Sequence, residues 1–327
     1  VSYLFSPDPR AAADLDRRMH AELASSLAYL ADEARGHFDV DTTGLATVIE
    51  GLKAERFEPI TFERYYQLVA AMSEGRLAEA KALFDAICAA RPMAPGLTIA
   101  SIDDIAGPDG AALIRSAMDT DPTTRFSFLQ PPADMAEAFR SRLDRAWARF
   151  EPVVPELFAE VRAVIGQVVL AVGEPGGTYH FDGGSSYRLW GALVLNPSFH
   201  PTEMDVVEVI GHESGHTLLF GHSIDEPLVF NPDDELFKSP LRLDPRPMDG
   251  IFHATFVLAR MHWTMSKLID SGLLTAEEAA HAEEARQSDA RLFHDGLQTV
   301  RASARLSGSG ARLIDAAEAY MAQATRA

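Results

Sequence analysis

The stretch Val206–His222 reads VVEVIGHESGHTLLFGH, and inside it His212, Glu213, Ser214, Gly215 and His216 spell H-E-x-x-H. Residues four apart on a helix lie about 40° apart in projection, so His212 and His216 can offer two imidazoles to one metal ion. Glu213 sits beside that pair, where it can hydrogen-bond a metal-bound water or orient a ligand without itself ligating. The flanks predict a helix and place it inside the protein. Thr202, after Pro201, is a candidate N-cap, and Met204, Val206, Val207, Val209, Ile210, Leu218, Leu219 and Phe220 make the segment apolar over much of its circumference. Two histidines and a glutamate on a buried helix are costly unless paired or metal-bound, which favours a metal site over satisfied core histidines. H-E-x-x-H also arises by chance, so the weight rests on this context.

Working outward, Gln167–Val172 (QVVLAV) and Tyr187–Leu195 (YRLWGALVL) read as buried strands, joined by the glycine-rich GEPGGTYHFDGGSSY. That loop suits close approach to a ligand, and Gly183-Gly184 suits a plain hairpin turn. It lacks the strand-turn-helix frame and the lysine of a phosphate loop, which excludes nucleotide binding. Earlier in the chain, helical spacing covers 14–34, 45–56, 61–72 and 77–90, and again 135–150 and 155–165, with 97–102 a short strand and 111–118 a short helix. On the other side of the motif, four prolines between Pro232 and Pro247 exclude regular structure until Pro247, which suits the first turn of a helix running to about Ile269 and carrying His253. Two more helices follow, one from Thr275 and one after Gly310. His20, His37, His281 and His294, apart from other ligand types, read as structural or solvated.

The chain has 327 residues, 47% hydrophobic and 24% charged, and its formal net charge is −19. The composition is that of a globular domain or two, and no apolar run reaches a membrane span. The charge repels phosphate backbones and anionic lipid, which argues against nucleic acid and membrane partners. The sequence begins VSYLFSPDPRAAADLDRRMH, without the basic region, apolar core and small-residue cleavage site of a secretory signal, so a cytoplasmic protein is expected. Cys88 is the single cysteine, which rules out an intramolecular disulfide and a cysteine-based metal site.

A functional site needs at least one more ligand than the histidine pair. His222 lies six residues after His216, as in H-E-x-x-H-x-x-G-x-x-H proteases, but Leu219 stands where that pattern needs a glycine turn; on a continuing helix His222 points away. Glu226 and Asp225 offer carboxylates from a loop of no fixed geometry. His253 offers a third imidazole from a second helix.

The run SPLRLDPRPMDGIFHATFVLARM, taken with HESGH, resembles the HEXXH-motif family of peptide-modification proteins associated with ribosomally made, post-translationally modified peptides; the resemblance covers about Tyr187 to Met261. It implies an iron(II) and 2-oxoglutarate dependent hydroxylase of peptide side chains, on a fold other than the double-stranded β-helix, with His253 completing the ligand set. Three protein ligands leave octahedral iron two positions for a 2-keto acid and one for dioxygen. The distal carboxylate of 2-oxoglutarate favours a planar bidentate cation, for which Arg246 in DPRP is a candidate, with Arg242 and Arg188 behind it. The plain alternative for these arginines is a salt bridge to Asp244, Asp249 or Glu208.

The expected architecture is α+β and predominantly helical, with a small sheet beside the metal-binding helix. It divides into a helical region over 1–165 and a metal-binding catalytic region over 166–327. The expected function is hydroxylation of a peptide side chain, with His212, His216 and His253 on the metal and Glu213 beside them. Two rivals are a zinc peptidase using Glu213 as general base and a peptide-binding protein with a structural metal.

Overall fold

A computed structural model describes residues 5–105, 109–119, 127–174, 181–239 and 244–324. The expected helices are present: α1 (Pro9–Glu33), α2 (Thr42–Ala54), α3 (Pro59–Ser73), α4 (Leu77–Cys88), α5 (Gly110–Met118), α6 (Ala133–Phe150) and α7 (Pro155–Val164) in the first half. The second half holds α8 (Glu203–His222), α9 (Met248–Asp270), α10 (Ala276–Ser303) and α11 (Gly308–Ala324). Strands β1 (Thr98–Ser101), β2 (Gln167–Leu170), β3 (Gly183–Gly184) and β4 (Ala192–Leu195) form one sheet, and β5 (Leu236–Phe237) pairs with β6 (Arg246–Pro247). Among the described residues the protein is therefore mostly helical, with a small mixed sheet and no closed barrel.

The sheet has the order β1-β2-β4-β3, with β1, β2 and β4 parallel and β3 antiparallel to β4. Its central strands are buried on both faces, which is why QVVL and ALVL are continuous apolar runs, not alternating ones. Two sequence expectations change here. Tyr187–Leu189 is a 3₁₀ turn, and the strand starts only after Gly191, whose φ of 85° interrupts the extended run. Gly183-Gly184 is not a hairpin turn: both residues pair with β4, Gly184 opposite Val194.

The chain forms two compact units, and their membership is interleaved. One comprises residues 13–140 and 162–201, with the sheet and most of the early helices. The other comprises 1–12, 141–161 and 202–327, with α8 to α11. A single cut near residue 165 does not describe this division. Parallel strands need crossover connections, so β1 near residue 100 has to join β2 and β4 near residues 170 and 195, which draws 162–201 into the first half's unit. The sheet belongs to the first of these units and the HESGH helix to the second.

In the sheet-bearing unit a polar group ties α1 to the strands. Asp16 accepts from the Trp190 indole N–H at 2.9 Å and from Arg56, while His20 accepts the Phe57 N–H at 3.1 Å. Burial pushes the His20 pKa down, consistent with a neutral structural ring.

Candidate metal centre

The HESGH helix begins with a capping box. Thr202 Oγ1 accepts the Asp205 N–H at 3.2 Å, and the Asp205 carboxylate accepts the Thr202 N–H at 2.8 Å. The helix then continues unbroken to His222. Inside it the remaining polar groups are satisfied locally: Ser214 Oγ donates to the Gly211 carbonyl and Thr217 Oγ1 to the Glu213 carbonyl, each at 3.2 Å. Helix α9 opens with Pro247 at its N-cap, outside the first turn where the sequence placed it, because Arg246 and Pro247 pair with Phe237 and Leu236 in a short ladder. Close approach of α8 and α9 is made possible by Gly215: a Cβ there would lie 3.1 Å from Val257 Cγ2.

This packing brings three histidines together. His216 Nε2 lies 3.2 Å from His212 Nε2, and His216 Nδ1 lies 3.2 Å from His253 Nδ1. The His216 and His253 rings stack, with centroids 5.5 Å apart and planes 13° from parallel, and the Phe220 ring lies 5.3 Å from that of His253. Burial of the rings, with His212 and His253 beside it, lowers the pKa of His216 well below that of a free imidazole. Burial lowers that of His253 too, opposed by the Asp249 carboxylate, 3.9 Å from its Nε2. Two neutral rings can share one N–H···N bond, so the row His253–His216–His212 is satisfied without an ion by one proton per contact.

The pair His212–His216 also fits an ion as it stands. Two nitrogens about 2.1 Å from one ion, at an angle between octahedral and tetrahedral, are separated by about 3.2 Å. His253 approaches the other nitrogen of His216. The three rings therefore do not offer one nitrogen each within a single 4.8 Å cluster. His212 and His216 would hold the ion through Nε2, and His253 lies behind His216, against the ring nitrogen that faces away from that ion, not on it as the sequence led one to expect. Glu213 is buried, its Oε1 4.0 Å from His212 Nε2.

The other candidates lie elsewhere. His222 closes the last turn of α8, which runs straight through Leu219. Glu226 accepts the Ser309 N–H at 3.2 Å, near the start of α11, and Asp225 is exposed. Arg246 pairs with the exposed carboxylate of Asp244 at 2.7 Å. Arg188 belongs to the sheet-bearing unit, where it donates to the fully buried Glu63 at 2.7 Å. Arg242 lies outside the described residues.

A second group of donors had escaped notice in the sequence. Asp205, Glu208 and His281 offer one ligand atom each within 4.8 Å of one another, and His281 Nε2 lies 2.8 Å from Glu208 Oε1. His281 is thus not merely solvated. The readable half of the signal was the stripe Asp205, Glu208, His212, His216 along one face of α8, at helical spacing.

Compared with known proteins, the chain matches no family model and no curated protein. The functional reading therefore rests on the residues and on the resemblance of HESGH and its downstream block.

Proposed function

We propose that the protein is an iron(II) and 2-oxoglutarate dependent oxygenase that hydroxylates a side chain of a ribosomally made peptide. The observation that supports this most is the approach of His253 to His216 across the α8–α9 contact, while Glu226 is engaged near the start of α11. Iron(II), when bound, supplies the activation of dioxygen that oxidative decarboxylation of the 2-keto acid accompanies. The protein's part is to hold and shield. His212 and His216 would hold the ion, and Asp249 faces the outer nitrogen of His253, where a carboxylate orients an imidazole. Phe220 covers the His253 ring. Arg246, beside the entrance to α9, would take the distal carboxylate of 2-oxoglutarate in exchange for the exposed Asp244.

The test is anaerobic purification, iron loading, and measurement of succinate formed from 2-oxoglutarate together with the mass of the peptide. Succinate coupled to one added oxygen per peptide supports the proposal. Peptide cleavage without 2-oxoglutarate would refute it in favour of a zinc peptidase. That second reading draws on one observation, the buried Glu213 carboxylate beside His212, where a general base would stand. In a peptidase Glu213→Gln abolishes turnover with metal retained; in an oxygenase it acts through orientation and leaves measurable succinate formation.

A further inference from the structure

A layer of carboxylates links α8 and α10, the two helices that flank α9. At its edge the fold neutralises the acids with a cation: Arg149 donates to Glu278 at 2.6 and 2.7 Å and to Glu203 at 3.3 Å. One turn further along both helices stand Asp205 and Glu208 on α8 and His281 on α10, and no arginine or lysine pairs with these acids among the described residues. The donor atoms of the three converge within 4.8 Å. Asp205 spends Oδ2 on the Thr202 N–H and hydroxyl, which leaves Oδ1 for another partner. The Nε2–Oε1 separation of 2.8 Å between His281 and Glu208 is close to the roughly 3 Å between neighbouring ligands on one ion.

Asp289 supplies a further observation. It lies eight residues along α10 from His281, on the same face, and its carboxyl interacts with Glu208. It has no hydrogen-bond or ion-pair partner among the described residues. Two carboxylates thus converge with one imidazole, with Asp289 a third carboxylate beside Glu208, in a chain of net charge −19, an arrangement suited to a divalent cation.

We infer that Asp205, Glu208 and His281, with Asp289 behind them, form a second divalent-cation site that clasps α8 to α10, separate from the histidine pair. Two carboxylates and an imidazole favour a borderline ion such as manganese(II) over calcium, which takes oxygen ligands. This inference does not depend on the function proposed above.

The probe is Mn²⁺, followed by the loss of its free-ion paramagnetic resonance signal as the full-length protein is added. In the double variant His212→Ala/His216→Ala, which lacks the histidine pair, one equivalent of Mn²⁺ should still bind and should raise the thermal midpoint. His281→Ala, at a half-exposed position the fold tolerates, should weaken that binding about tenfold or more, as loss of an inner ligand does. Asp289→Asn should weaken it less. Absence of bound Mn²⁺ in the double variant, or equal Mn²⁺ affinity with and without His281, would overturn the inference. Failure of the histidine pair to bind metal would show instead as unchanged stoichiometry between wild type and the double variant, and leaves this site standing.

Discussion

Gly215 sits between the glutamate and the second histidine of HESGH, and α9 packs against it. Gly215→Ala places a methyl 3.1 Å from Val257 Cγ2 and 3.6 Å from Arg260 Cδ and Nε. The first contact is a few tenths of an ångström too short. Neither neighbour yields easily, because Val257 is fully buried and Arg260 is held by Glu160 and by the Phe5 carbonyl. Overpacking of this kind costs about 1–3 kcal/mol. Replacing a mid-helix glycine by alanine returns about 1 kcal/mol. The net expectation is a loss of about 0–2 kcal/mol, read as a fall of about 2–4 °C in thermal midpoint per kcal/mol. Gly211→Ala is the control on the same helix: its methyl meets Met261 Sδ at 3.5 Å, an ordinary contact with a flexible side chain, so the propensity gain stands and stability should rise by about 0.4–1 kcal/mol. The two variants also differ at the site. Pushing α9 away at Val257, one turn from His253, lengthens the His216–His253 contact, so Gly215→Ala should weaken metal binding and Gly211→Ala should not. Circular dichroism melts and metal titrations of both variants decide the matter. Equal or opposite ranking of the pair would refute the packing argument.

Three further outcomes are expected. His253→Ala should lower metal affinity, whereas Arg246→Ala should keep the metal and chiefly weaken 2-oxoglutarate binding, measured by titration of each ligand. Gly310→Ala, whose methyl would fall 2.2 Å from the Leu228 carbonyl oxygen, must displace backbone and should destabilise by about 1–3 kcal/mol in chemical denaturation while leaving metal affinity unchanged. His262, bonded to the Tyr320 hydroxyl at 2.9 Å, has its pKa lowered to about 4 by burial first and by Arg286 second. The unfolded chain then binds the proton that the folded one refuses, so this stability is present above pH ~6.5 and is lost as pH falls toward 4. A melt series over that window should show a shallower slope for His262→Gln.

Features carried by one helix were legible in the sequence, and features made by two helices were not. The spacing of His212 and His216 states their common face, Thr202 states where the helix starts, and Leu219 in place of glycine states that the helix runs on past the point where His222 could turn back; the structure has each of these. His253 is different. Nothing in its own segment says which residue it will meet, because its position depends on how far Val257 lets α9 approach Gly215. Arg188 shows the same limit from the other side. Its sequence neighbourhood offered acids at 208, 244 and 249, but the partner it takes is Glu63, a charge inside a helical pattern whose complete burial is a tertiary fact. The strongest case is the stripe Asp205, Glu208, His212, His216, readable as four donors on one face of α8. Its spacing cannot say whether they form one group or two. What divides them is the α10 side, where His281, 73 residues on from Glu208, approaches only the upper pair, while His253 on α9 approaches only the lower. A helix can therefore specify its own donors by periodicity, but how those donors are grouped is set by which neighbouring helix faces each turn.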